Sequence, residues 1–182
     1  MTKIGIVARA GTASLAPYTD PEWELWGLPW VSYPRIDAVF EVHEQPVWDD
    51  RGIDLAEDGA CNPEATVYAV TSRMYRFKNS ECVEFDTPGL AKQFPDAPFD
   101  NSLCYQMAYA VTKAPKTVGL WGVHMVSKRE YLWERAGVQY WVGYMRGLGI
   151  EVIIPPGSPL FLNAWTAGRY GVNWRMRDLK WL

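Results

Sequence analysis

The feature that most constrains the fold is the stretch from Asn101 to Met125, NSLCYQMAYAVTKAPKTVGLWGVHM. Its residue order predicts a polar helix cap, an apolar helix, a short turn and a buried strand. A helix that leads directly into a buried strand is the unit from which parallel sheets are built, so we predict an α/β protein. Asn101 and Ser102 at the helix start, and Gly122 and His124 at the strand exit, lie where open α/β sheets hold ligands.

The rest of the chain repeats this alternation of strands and helices. Six short apolar runs predict strands. They are Lys3–Ala8, Trp23–Leu28, Ile36–His43, Thr66–Val70, Thr117–Val123 and Glu151–Ile154. The predicted fold is an α/β, doubly wound, mostly parallel sheet of about six strands in three layers. We expect a short helix and loop over 48–63, an irregular excursion over 72–100, and a helix over 128–148 that is interrupted at Gly137.

Composition limits the partners that the chain can have. With 182 residues, 48% of them hydrophobic and 21% charged, it can bury a sizeable core. Its net charge of -3 gives no general attraction to nucleic acid or to an anionic membrane. No apolar run approaches the roughly 18 residues of a spanning helix. We therefore expect a cytoplasmic protein with no membrane partner, and a nucleic-acid partner is disfavoured.

The C-terminal part of the chain differs from the rest. We divide the chain into a folded domain over 1–160 and a tail over 161–182. The tail interleaves aromatic and basic residues, namely Trp165, Tyr170, Trp174 and Trp181 with Arg169, Arg175, Arg177 and Lys180. This pattern suits single-stranded nucleic acid or a phosphate-bearing partner. More often such a tail packs on its own domain or on a partner, which leaves open a homo-oligomer.

Two common kinds of site are not indicated. Cys61, Cys82 and Cys104 are odd in number and widely spaced, so we predict neither a disulfide framework nor a zinc site, and no metal is assigned. After the first strand the turn contains the single glycine Gly11, so the three-glycine dinucleotide fingerprint is absent and NAD or FAD is disfavoured. The cofactor is left unknown, with a nucleotide or nucleotide-sugar as the suspected ligand.

The loop after the first strand is the predicted nucleotide-binding element. Gly11, Thr12 and Ser14 offer backbone amides and hydroxyl groups that could cradle a phosphate. Asn101 and Ser102 are predicted to contribute a second set of contacts at the helix cap. A tight structural turn is the alternative explanation of the small residues in the loop.

Both histidines of the chain, His43 and His124, follow predicted strands, where an α/β sheet collects its ligand. Either could act as a general base. Glu41 shares a strand face with His43, and the two could share a proton or bind a metal, although no third ligand is evident. A hydrogen-bonded structural histidine is the alternative in each case.

Three further side chains, together with Glu41, are predicted to contact a substrate. Arg135 and Arg35 could each bind a phosphate or carboxylate through a bidentate fork. Tyr131 could donate a hydrogen bond to a leaving-group oxygen. The alternative for Tyr131 and Arg135 is an amphipathic surface helix with an intrahelical ion pair.

Several local patterns resemble one family. They are Ile6 to Tyr18, Asp20 to Leu28, Pro34 to Asp37, Phe40 to His43, Asn101 to Ala110, Gly119 to Met125, Glu130–Tyr131 with Arg135, and Gly143 with Gly147 to Ile150. Over roughly residues 3–160 they resemble small tailed-phage Rossmann-like proteins. More distantly, the fold resembles bacterial CMP-sialic-acid-dependent sialyltransferases and MptE-like pterin pyrophosphokinases. Residues 1–160 would then form a Rossmann-like nucleotide-binding domain.

The distant resemblance implies that Gly11 to Ser14 and Asn101–Ser102 contact a nucleotide, while a histidine or tyrosine near the strand ends assists transfer. The chain departs from its relatives in three places. Thr12-Ala13 stands in a turn that is typically Gly-Pro-Ser, Pro29 replaces an asparagine, and His124 replaces an aspartate. The loss of the asparagine removes an expected contact to the base or ribose, and the presence of His124 implies either altered chemistry or lost catalysis.

The sequence therefore favours a phage-encoded protein that binds a nucleotide or nucleotide-sugar. If it is an enzyme, it is a transferase of glycosyl or phosphoryl groups. The alternative is a non-catalytic phage protein, either a virion component or an accessory interaction module with a vestigial pocket, whose phage protein partner binds the tail. A sponge for a host signalling nucleotide is a third hypothesis.

Overall fold

The computed structural model describes residues 2–44, 62–77, 80–126 and 129–161. Seven strands form one sheet in the order β5-β4-β3-β2-β1-β6-β7, and every neighbouring pair is parallel. The strands are β1 Lys3–Val7, β2 Trp23–Gly27, β3 Ala38–Glu41, β4 Thr66–Ala69, β5 Cys82–Glu84, β6 Thr117–Trp121 and β7 Glu151–Ile153. The predicted doubly wound α/β fold is confirmed, with seven strands rather than about six.

The additional strand is β5, which lies inside the region predicted to be irregular. Residues 72–100 also contain most of the 3-10 helix Thr71–Phe77 and the whole of helix α1, Thr87–Gln93. The prediction failed here because β5 is only three residues long and its side chains are half-buried or exposed. An edge strand of this kind is held by backbone pairing with β4 and has no apolar run for the sequence to show.

Two longer helices complete the described part of the chain. Helix α2 spans Ser102–Thr112, and Asn101 caps it by accepting a hydrogen bond from the Cys104 N–H, as predicted. Helix α3 spans Arg129–Gly147 without a break. The predicted interruption at Gly137 was wrong, because this glycine makes room for a neighbour: a Cβ there would lie 2.5 Å from a carboxylate oxygen of Asp100.

Helices α1, α2 and α3 cover one face of the sheet. The side chains of Ile4, Ile6, Val118 and Leu120 point from the neighbouring strands β1 and β6 into this face, and Trp141 of α3 is fully buried against it. Toward the β5 edge the core becomes aromatic, with ring contacts among Trp26, Phe40, Tyr68, Phe85 and Tyr109. Many of the aromatic residues of the chain thus pack in the core.

The opposite face is covered in a different way, by 3-10 helices and by aromatic rings that lie on glycines. The Trp121 ring occupies the space above Gly119 and Gly5, where a Cβ would approach it to 2.2 and 3.0 Å. Tyr33 lies in the same manner on Gly27 of β2, where a Cβ would be 2.6 Å from its ring. Glycine is therefore required at these strand positions by close packing.

Some predictions lie outside the described residues. These are most of the helix and loop over 48–63, and the tail beyond Phe161. Within the described residues, no helix combines the length and apolar character needed to cross a membrane.

Replacing Gly119 with Ala is expected to lower the free energy of unfolding by about 1–3 kcal/mol, because the new Cβ overlaps the Trp121 ring. Urea denaturation measures this change. In a Trp121→Leu background the same Gly119→Ala substitution should cost less, since the ring is gone. Equal costs in the two backgrounds would contradict the assigned contact.

Candidate functional site

The candidate site lies at the point of the sheet where the order of the strands along the chain reverses, between β1 and β6. Strand β1 has β2 on one side and β6 on the other, so the connection after β1 leads toward β2 and the connection after β6 leads the opposite way, toward β7. We call the region beyond the carboxyl ends of β1 and β6 the crevice, because open α/β sheets bind ligands at this position. The two connections begin at Ala8 and at Gly122.

Backbone hydrogen bonds first join these two connections. The Ala8 N–H donates to the Trp121 carbonyl at 2.8 Å, and the Ala10 N–H donates to the Gly122 carbonyl at 3.1 Å. Gly122 has a φ of +68°, and a Cβ there would lie 2.5 Å from the Ala8 carbonyl oxygen. Only glycine fits both the backbone conformation and the space.

A single hydroxyl group then joins the two connections. Thr12 lies in the 3-10 helix Gly11–Leu15 that follows β1, and it is buried. Its Oγ1 accepts a hydrogen bond from the Gly122 N–H at 2.9 Å and lies 3.0 Å from Nε2 of His124. Two of the predicted site residues, separated by 112 positions in the chain, are thus in direct contact.

This contact engages Nε2 of His124 and leaves Nδ1 without a hydrogen bond to the described residues. Thr12 Oγ1 accepts from the Gly122 N–H, and it can donate to Nε2 in one tautomer of His124 or accept from Nε2–H in the other. Nδ1 is therefore the ring nitrogen left to contact a ligand.

The loop after β7 forms a third side of the site. Ser158 Oγ donates to the carbonyl of Val123, the residue before His124, at 3.1 Å. Arg135 of α3 donates from Nε to the Leu160 carbonyl and from Nη2 to the Pro159 carbonyl, both at 2.8 Å. Burial lowers the pKa of Arg135. Arg135, predicted to bind a substrate anion, is thus placed where it supports this loop.

His43 and Glu41 form a separate pair at the carboxyl end of β3. Glu41 is buried, and its Oε1 accepts from the His43 backbone N–H at 2.8 Å and lies 2.6 Å from His43 Nδ1. The ring of Trp30 lies 5.7 Å from the imidazole, centroid to centroid. Strands β3 and β6 are three spacings apart, about 14 Å, so the two histidines cannot act on one atom together.

The Asn101 side chain has a structural position. Besides capping α2 at 3.0 Å, its amide group donates to the Asp100 carboxylate at 2.9 Å and to the Glu134 carbonyl of α3 at 3.3 Å. Ser102 is the first residue of α2 and is half-buried. Gly11 and Ser14 lie in the first connection, where Ser14 Oγ donates to the Gly11 carbonyl at 3.1 Å.

Arg35 lies at the opposite edge of the sheet. Its guanidinium donates to both oxygens of Asp37, at 3.3 and 2.8 Å, and also to the backbone carbonyls of Asp20 and Trp23, where β2 begins. These contacts place Arg35 at the amino ends of the strands, away from the histidines. Tyr131 lies in α3, and its side chain is outside the described residues.

One cation beside the crevice is not marked by any motif in the sequence. Arg9 lies two residues after the end of β1, is exposed, and makes no hydrogen bond or ion pair with the described residues. Its neighbours in the sequence are apolar or small, so nothing around it indicates a site. Its position just after the predicted first strand is the one signal that could have identified it.

A second depression lies at the ends of β4 and β5. It is a cleft of about 350 Å³, and its charged lining residues are all acidic: Glu44, Glu84 and Asp86. An anionic ligand would be repelled there. Among the described residues, no group of three or more His, Cys, Asp or Glu side chains could hold a metal ion.

No protein-family model, curated protein or solved structure matches this chain. The resemblance to tailed-phage Rossmann-like proteins accordingly stays an expectation from the motifs. The crevice between β1 and β6 is assigned as the candidate site on geometry alone.

Replacing Thr12 with Val tests the hydrogen bonds by which Thr12 joins the two connections. Valine keeps the shape but leaves the Gly122 N–H without its acceptor, so the free energy of unfolding should fall by about 1–3 kcal/mol. Thr12→Ser is the matched control, because it keeps the hydroxyl and loses one methyl group, at a cost of about 0.8 kcal/mol. Chemical denaturation compares them. A Val variant that is more stable than the Ser variant would contradict the assigned hydrogen bonds.

Proposed function

We propose that this chain binds a phosphate-bearing nucleotide or nucleotide-sugar in the crevice beyond β1 and β6. The observation that carries the proposal is the Thr12–His124 contact at the point where the chain order reverses. It brings a hydroxyl and an imidazole from two distant segments to the place where α/β sheets bind ligands. Arg9 supports the proposal as a cation beside that place with no ion-pair partner among the described residues.

Within this proposal the residues have distinct tasks. Arg9 binds the phosphate through charge-assisted hydrogen bonds. His124, with Nε2 held by Thr12, presents Nδ1 to the ligand. If the chain transfers a glycosyl or phosphoryl group, Nδ1 donates its proton to the leaving oxygen and later recovers one from the incoming nucleophile. His43 and Glu41 lie too far along the edge to share this step, and they are proposed to contact the distal part of the ligand.

The first test is a thermal-shift panel of mono-, di- and cyclic nucleotides and nucleotide-sugars, including CMP and CMP-sialic acid. A ligand at about 100 times its dissociation constant stabilises the folded chain by roughly 2.7 kcal/mol. For a chain of this size that corresponds to a rise in Tm of about 5–10 °C. No shift with any member of the panel would contradict the proposal and favour the non-catalytic phage interaction protein.

Variants then locate the bound ligand. Arg9→Gln should weaken binding about 10- to 100-fold, since a hydrogen bond from a charged group is lost. Lys92→Gln on α1 is the matched control, because it also removes one exposed positive charge but lies on an element outside the crevice. Isothermal titration measures both. Equal affinity in the two variants would remove Arg9 from the site.

Turnover is tested separately with the ligand that the panel identifies. Release of free nucleotide at saturating ligand should be abolished in His124→Ala, whereas His43→Ala should weaken ligand binding and keep the transfer step, because the strands that carry the two histidines are about 14 Å apart. Full activity of His124→Ala would remove this residue from the mechanism. Tight binding with an unchanged ligand in the wild-type chain would indicate sequestration of the nucleotide.

A further inference from the structure

The outward face of α3 is aromatic, where a surface helix usually has polar residues. Trp133 is 73% exposed, Tyr140 41% and Tyr144 36%. At 100° per residue these three positions fall within about 40° of one another, so they form one stripe along the helix. The ring planes of Tyr140 and Tyr144 lie 23° from parallel. We call these three residues the aromatic stripe.

Small residues lie beside the aromatic stripe on the same exposed side. Ala136, Gly143 and Gly147 are exposed, and a Cβ built at Gly143 or Gly147 would meet nothing within 4 Å. Glycine inside a helix costs about 0.5–1 kcal/mol relative to alanine, and no contact among the described residues accounts for Gly143. The three residues leave a shallow channel along α3, in which the backbone of another segment could approach the helix closely.

The described part of the chain ends at the other border of this channel. Residues Pro159–Phe161 form a 3-10 helix whose carbonyls accept hydrogen bonds from Arg135 and Gln139 of α3. The guanidinium of Arg146 lies 5.8 Å from the centre of the Phe161 ring. Phe161, the last described residue, therefore lies on the flank of α3, with the channel between it and the aromatic stripe.

The segment that follows matches this face in composition and charge. Residues 162–182 contain three tryptophans and a tyrosine, together with four basic residues and one acidic residue, in a chain whose net charge is -3. The carboxylate of Asp100 lies against Gly137, beside the stripe, and makes no salt bridge with the described residues. The aromatic side chains of the segment would thus meet the aromatic stripe, and its basic residues would meet the Asp100 carboxylate.

The length of the segment is also sufficient. Helix α3 is about 28 Å long at 1.5 Å per residue, and an extended segment of this size reaches roughly 70 Å at 3.3 Å per residue. Because the segment begins on α3, binding to the same molecule has a high effective concentration and needs no second copy.

We propose that residues 162–182 bind to α3 of their own molecule, crossing the channel at Gly143 and packing their tryptophans on the aromatic stripe. Bound in this way, they cover the exposed rings of α3 and keep the basic residues near Asp100. This proposal is independent of the nucleotide site.

Limited trypsin digestion of the full chain tests the proposal, with intact-mass spectrometry following cleavage after Arg169, Arg175 and Arg177. In the wild-type chain this cleavage should be slow. Gly143→Lys fills the channel and adds a charge that repels the segment, so cleavage should accelerate at least about tenfold. Lysine is the better helix former, so this variant should stay folded. Gln93→Lys adds the same charge at an exposed position of α1 and should behave as wild type.

Three results would overturn the proposal. Rapid cleavage in the wild-type chain would show that the segment is not bound. Slow cleavage in Gly143→Lys would show that it binds elsewhere. Protection that rises with protein concentration, together with a dimer mass in light scattering, would show that a second copy covers the aromatic stripe.

Discussion

The pairing of β1 with β6 is the contact on which the candidate site depends. The five residues of β1 are in register with the five of β6, and this register brings the ends of both strands to one level. The connections that follow can then exchange backbone hydrogen bonds through Ala8, Ala10 and Gly122. Thr12 reaches His124 only because this alignment is already in place. The chemistry proposed for the crevice therefore derives from the pairing of these two strands.

Much of the fold could be predicted because its central strands are buried on both faces. Runs such as Lys3–Ala8 and Thr117–Val123 are apolar throughout, which is typical of a parallel sheet covered on both sides. The prediction failed where tertiary contacts replace this signal. Strand β5 has no apolar run, and Gly137 breaks no helix because its missing side chain admits Asp100. In both places the neighbour that decides the conformation is distant in sequence.

The candidate site was predictable in part for the same reason. The strand ends were indicated by the strands themselves, so His124 and the Gly11–Ser14 loop were found. What the sequence could not supply is the bonding of each polar group. Arg35 and Arg135 have equally suitable side chains for an anion, yet in the structure they donate to Asp37 and to backbone carbonyls. Arg9, which has no motif around it, is the arginine beside the crevice.

The rings that lie on glycines have an evolutionary consequence. Trp121 can occupy its place only while positions 5 and 119 lack side chains, and Tyr33 depends in the same way on position 27. A larger residue at one of these glycines would be tolerated only together with a smaller residue in place of the ring. In descendants of this sequence, positions 119 and 121 should therefore change together, as should positions 27 and 33. Such correlated changes would show that single aromatic rings cover the sheet at these positions.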